Sequence, residues 1–61
     1  MFNVKFISLV DVKVIAEREM PFIPYNPDKE LVGDRLYSVF KTEIDTSNSV
    51  LNCVKAYVFP F

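Results

Sequence analysis

The sequence predicts an α+β fold, a small β-β-α-β sheet with one helix packed on one face. Three observations predict it. Residues Phe2 to Ala16 alternate with period two, "YNPDKE" reads as a helix start ahead of apolar residues at helical spacing, and Val50 to Phe59 is apolar on both faces. With 61 residues the chain makes a single domain, 1–61.

The even positions of the first segment are Phe2, Val4, Phe6, Ser8, Val10, Val12, Val14 and Ala16; the odd ones are Asn3, Lys5, Ile7, Leu9, Asp11, Lys13 and Ile15. A two-residue hairpin would flip the parity of the inward face, and the parity here does not flip. Either a three-residue loop or bulge lies near Ser8 to Asp11, without the usual Gly or Asn, or the strand runs straight through. At about 3.3 Å per residue the straight version approaches ~50 Å, and its excess length would have to pair with another molecule.

The second segment, Val12 to Ile23, carries Glu17, Arg18 and Glu19 and then Pro21 and Pro24. Proline cannot donate to a ladder, so this part is an edge strand or is leaving the sheet. Asn26 as N-cap, Pro27 at the first helical position, and Asp28 and Glu30 in the first turn make a coherent helix start. Leu36, Tyr37, Val39 and Phe40, with Val32, describe one helix face opposite Asp34, Arg35, Ser38 and Lys41. The alternative is a turn at "VGD" and a strand over 35–44, because Gly33 suits a helix interior poorly and Tyr, Val, Phe, Thr and Ile favour strands. It would make the fold an all-β four-stranded meander. "DTSNS" is a turn cluster, and the final segment, buried on both sides, is a central strand.

Size and composition bear on function. A chain this short buries only about 60% of its unfolded surface, so its core needs a supplement. One Cys and no His exclude an internal disulfide and a thiolate or imidazole zinc site, which leaves oligomerisation. Half the residues are apolar, far from the composition of a disordered chain. Seven basic against eight acidic residues argue against nucleic acid as the partner. Neither a secretory signal nor a membrane span is evident, so the expected compartment is the cytoplasm, which suits an unpaired cysteine.

No residue set supports catalysis, and the chain is expected not to be an enzyme and to need no cofactor. Cys53 and the serines lack a histidine base, so Cys53 reads as a small buried hydrophobe. Glu17 and Glu19 would share one strand face, better suited to a solvated edge than to a paired-carboxylate site. Asp28, Glu30 and Asp34 suit the N-terminal half of a helix and lack the spacing of a calcium loop. Among the aromatics, Phe2, Phe6 and Phe40 read as core with Leu36 and Val54. Phe22, Tyr25, Tyr57, Phe59 and Phe61, near prolines or the chain end, divide between core and interface. A single helix covers one sheet face; the other carries Ile7, Leu9 and Ile15 with either Leu51, Cys53, Tyr57 and Phe59 or their even-numbered neighbours, too apolar for water.

Two N-terminal strands, a helix opened by "NPDKE" and a final strand "VLNCVKAYVF" resemble, in order of elements, small phage-encoded host-takeover proteins. These include compact inhibitors of bacterial RNA polymerase and anti-defence proteins such as the Hachiman anti-defence type. The resemblance implies a non-enzymatic inhibitor that occludes a surface of a host protein. The expected partners are a second copy and that host protein. Ile7, Leu9, Ile15, Phe22, Tyr25, Tyr57, Phe59 and Phe61 would form the interface, and Glu17, Glu19, Asp28 and Asp34 would steer the encounter. The alternative is a structural subunit of an obligate complex.

Overall fold

The computed structural model describes residues 1–44 and 52–61. Five strands make up its regular structure: β1 (Phe2–Ser8), β2 (Lys13–Met20), β3 (Lys29–Val32), β4 (Arg35–Ile44) and β5 (Cys53–Pro60). They form one curled sheet in the order β2-β1-β5-β4-β3, with β1 and β5 parallel and every other pair antiparallel.

The α+β expectation is therefore corrected, because no helix occurs among the described residues. The segment read as a helix is β3, a Gly33–Asp34 turn and β4. Gly33 has a φ of 65°, a left-handed conformation that glycine adopts without a Cβ penalty. Across that turn Val32 pairs with Arg35 and Leu31 with Leu36. The turn-and-strand alternative thus describes this stretch, although the sheet has five strands and a parallel pair, which a four-stranded meander lacks. The helix start is corrected with it. Asn26 and Asp28 serve a turn: Asn26 Nδ2 donates to the Phe40 carbonyl (2.8 Å), and the Asp28 carboxylate accepts from the Tyr25 amide (3.0 Å).

The first segment does not run straight through. A β-bulge breaks the β1–β2 register at Phe6/Ile7, and Leu9 to Val12 turn the chain back. Ser8 organises this loop: its Oγ accepts from the Asp11 amide at 3.2 Å and its carbonyl accepts from the Val12 amide at 2.7 Å. With the strand folded back, no excess length is left to recruit a second copy.

That loop forces Val12 to a φ of 55°, and Val12 is 81% exposed, so burial does not compensate. A left-handed L-residue costs about 1–2 kcal/mol and a β-branched one is a clear outlier, whereas glycine relieves this at a chain-entropy cost of ~0.5–1 kcal/mol. Val12→Gly is expected to stabilise the protein by up to about 1 kcal/mol. Urea titration checks this, and a lower midpoint for the variant contradicts it.

Period two sets the core. Val4, Phe6 and Ser8 of β1 and Val54, Ala56 and Val58 of β5 alternate onto one inner face and are fully buried, joined by Val39 and Met20. β5 is the central strand, as expected of its segment; Val50 and Leu51, and the "DTSNS" cluster, lie outside the described residues. No helix among the described residues covers the curled sheet, and the segment after β2 takes that role. Ile23 packs against the core, Pro24 is fully buried, and the Thr42 hydroxyl donates to the Pro24 carbonyl.

The two edge strands, β2 and β3, are bridged by one side chain. Arg18 of β2 lies 4.8 Å over the Phe6 ring, donates to the Leu31 carbonyl of β3 at 2.8 Å and stands 3.6 Å from Glu30. The charged hydrogen bond, the cation–π contact and the half-exposed ion pair each contribute modestly. Arg18→Ala is expected to cost about 1–2 kcal/mol, and Arg18→Met less because it keeps the aliphatic stem over Phe6. Hydrogen exchange at the Lys29–Val32 amides should accelerate in both, and unchanged exchange there would remove Arg18 as the seam's fastener.

Candidate functional site

Whatever the inner face buries, its alternate residues present on the outer face. Here the cross-strand register builds rows. One row reads Glu17, Lys5, Lys55 and Glu43 across β2, β1, β5 and β4; the next reads Val14, Ile7, Tyr57 and Lys41. Two further rows bring Phe59, Ser38 and Lys29 together, then Phe61, Leu36 and Leu31, the Phe61 amide donating to the Leu36 carbonyl at 3.0 Å. The Leu9 amide extends the β1–β5 ladder onto the Val58 carbonyl (2.8 Å), which sets Leu9 beside Phe59.

A second bulge, between Val39 and Lys41, changes which side chains this face shows. Val39 stays in the core while Phe40 turns outward to meet Phe59, ring centroids 6.4 Å apart and inclined at 64°. Leu9, Leu31, Leu36, Phe40, Phe59 and Phe61 form a continuous set whose exposures run from 38% at Phe59 to 75% at Phe61. Single exposed apolar residues are ordinary on a small protein; four on neighbouring strands of one sheet face, with Leu9 and Phe61 just beyond the ends of β1 and β5, are not.

Cations lie on these rings. Lys29 Nζ is 4.6 Å from the Phe61 centroid and Lys41 Nζ is 5.0 Å from that of Tyr57. Tyr57 also donates its hydroxyl to Glu43 at 3.1 Å, and Glu43 lies 3.6 Å from Lys41. These contacts hold the aromatic edges in place with polar groups at the rim.

The interface expected from sequence is brought together in part. Ile7, Leu9, Tyr57, Phe59 and Phe61 share the outer face. Ile15 does not: it packs against the core beside the first bulge. Phe22 and Tyr25 are exposed but belong to the loop after β2, outside these rows. The acids expected to steer the encounter are dispersed. Glu17 and Glu19 lie on edge strand β2, where Glu17 accepts from Asn3 Nδ2 at 2.6 Å, Asp28 pins the Tyr25 loop, and Asp34 sits in the β3–β4 turn.

Three members of the patch escaped the sequence reading. A helix face would carry Leu36 and Phe40 inward to the core, and no sequence pattern used above singles out Leu31. "VGD" as a two-residue turn is the signal for two of them, since it sets Leu31 against Leu36 on one face. Phe40 has no such signal, because the bulge that turns it outward leaves no mark in the local sequence.

Cys53 is buried, in keeping with a small hydrophobe. Among the described residues there is no pocket, no group of metal-ligating side chains, and no helix long and apolar enough to cross a membrane. Compared with known proteins, the chain matches no family model, no curated protein and no solved structure.

Proposed function

We propose that the protein is a non-enzymatic binding protein that docks through the outer face of β3, β4 and β5 onto another protein and blocks that protein's surface. The observation that carries this reading is the exposed set Leu31, Leu36, Phe40 and Phe59 on strands whose opposite side is a tight core, extended by Leu9 and Phe61 at the ends of β1 and β5. Aromatic anchors on a rigid scaffold are the usual centre of a protein interface, and desolvating them is what drives association.

The setting proposed for this activity is phage takeover of a host, although β3 and β4 replace the helix that the resemblance in order of elements included. There the partner would be a defence or transcription protein in the host cytoplasm, inhibited stoichiometrically by steric blockade. Lack of any histidine and of a glycine-rich loop supports a binding role over a catalytic one. With the first segment folded back, the overlong strand no longer argues for self-association.

The test compares the wild type with the double variant Leu36→Thr, Phe59→Thr as baits in host-cell lysate. One stoichiometric partner retained by the wild type and released by the variant supports the reading. Identical retention by both baits would overturn it.

A further inference from the structure

We propose that the partner segment seated on this face is an acidic one, with an apolar or aromatic side chain flanked by aspartate or glutamate. The inference rests on the docking role argued above and adds the chemistry of the occupant.

Net charge conceals how the charges are distributed. The chain carries -1 overall, yet the outer face of β3, β4 and β5 bears Lys29, Lys41 and Lys55 against one acid, Glu43. The other described acids are placed elsewhere. Asp11 is in the β1–β2 loop, Glu17 and Glu19 are on the far edge strand, Asp28 and Asp34 are in turns, and Glu30 faces Arg18. An apolar patch with a lysine rim is complementary to an apolar anchor with an acidic rim, and complementarity of this kind selects partners and speeds encounter.

Two of the lysines are also positioned for this task. Lys29 and Lys41 lie over Phe61 and Tyr57, Lys29 also donating to the Pro27 carbonyl at 2.9 Å and Lys41 standing 3.6 Å from Glu43, so an incoming carboxylate flanking an anchor would meet each ammonium beside the partner it already has. Desolvation by the docked anchor would strengthen those pairs relative to open solvent.

The same distribution disfavours a second copy. A two-fold dimer sets a patch against itself, so face-to-face packing would press one lysine rim on another. Single-stranded nucleic acid would use stacking rings and cations, but Glu43 interrupts a phosphate track here and the Lys5–Lys55 pair is bracketed by Glu17 and Glu43.

The experiment is selection from a random 12-residue peptide library on the immobilised full chain, with isolated peptides then measured by fluorescence anisotropy. The expected pool combines Phe, Trp or Leu with Asp or Glu. Its peptides should bind the triple variant Lys29→Glu, Lys41→Glu, Lys55→Glu about tenfold or more weakly, since like-charge contacts replace attractive ones. That variant should itself select Lys- and Arg-bearing peptides.

A pool that is apolar without charge bias overturns the acidic inference and leaves the docking face standing. Selected peptides that bind the Leu36→Thr, Phe59→Thr protein unchanged overturn both. Displacement of the acidic peptides by an equimolar thymidine 10-mer would reassign the face to nucleic acid. A dimer that persists on hundredfold dilution in light scattering, and is lost in Leu36→Thr, Phe59→Thr, would assign it to a second copy.

Discussion

Phe6→Ala is expected to remove most or all of the protein's stability. Phe6 is fully buried at the centre of the inner face, and its direct cross-strand neighbours are Ala16 on β2 and Ala56 on β5. Two alanines beside one phenylalanine leave the ring to fill the space over three strands, with Arg18 closing it from the open side. Truncation would leave a cavity that neither alanine can reach, and the neighbouring strands cannot collapse without breaking their ladders. Phe-to-Ala changes in cores cost about 3–5 kcal/mol, and a domain of this size rarely has more than ~3–5 kcal/mol in total. The variant should lose its cooperative urea transition, while Phe6→Leu keeps one at lower midpoint. A Phe6→Ala midpoint corresponding to a loss of under about 1 kcal/mol would show that the core is not centred on this ring.

The second large effect falls on binding instead of stability. Leu36→Thr with Phe59→Thr should weaken partner affinity by at least about 2 kcal/mol, roughly thirtyfold, as loss of central anchors does elsewhere. Both side chains are more than one-third exposed, and threonine keeps the strand preference that serine would lose, so the fold should lose no more than ~1 kcal/mol. The contrast matters because the two positions belong to the same strands as the core. If the double variant unfolds, the outer face contributes to stability as a second core layer would. If it folds and binds as before, the anchors lie elsewhere on the chain.

Phe6 and the Leu36/Phe59 pair test opposite sides of one sheet. Their separation follows from strand geometry: β5 sends Val54, Ala56 and Val58 inward and Cys53, Tyr57 and Phe59 outward within eight residues. Along that outward set exposure rises from buried Cys53 to exposed Phe59, toward the C-terminal end of β5.

Sequence alone determined those features that depend on local alternation and on prolines. The period-two pattern of Phe2 to Ser8 put Val4 and Phe6 on a common inward face, Pro21 and Pro24 marked the end of an edge strand, and the doubly apolar final segment marked a central one. Each of these follows from side chains alternating across a pleat or from a missing amide hydrogen, both visible in a short stretch. Tertiary structure alone decided whether 35–44 became helix or strand, where the first segment turned, and which apolar residues stayed in water. The stretch Leu36 to Ile44 fits either period, and it becomes a strand because β5 on one side and β3 on the other satisfy its backbone at once. A left-handed valine at the first turn is unfavourable locally and persists because the β1–β2 ladder and the buried Ser8 hold it. Charge placement was decided the same way: seven bases and eight acids read as nearly neutral along the chain. Cross-strand register then gathers Lys29 and Lys41 beside the aromatic patch, with Lys55 one row further along, because strands distant in sequence become neighbours about 4.8 Å apart.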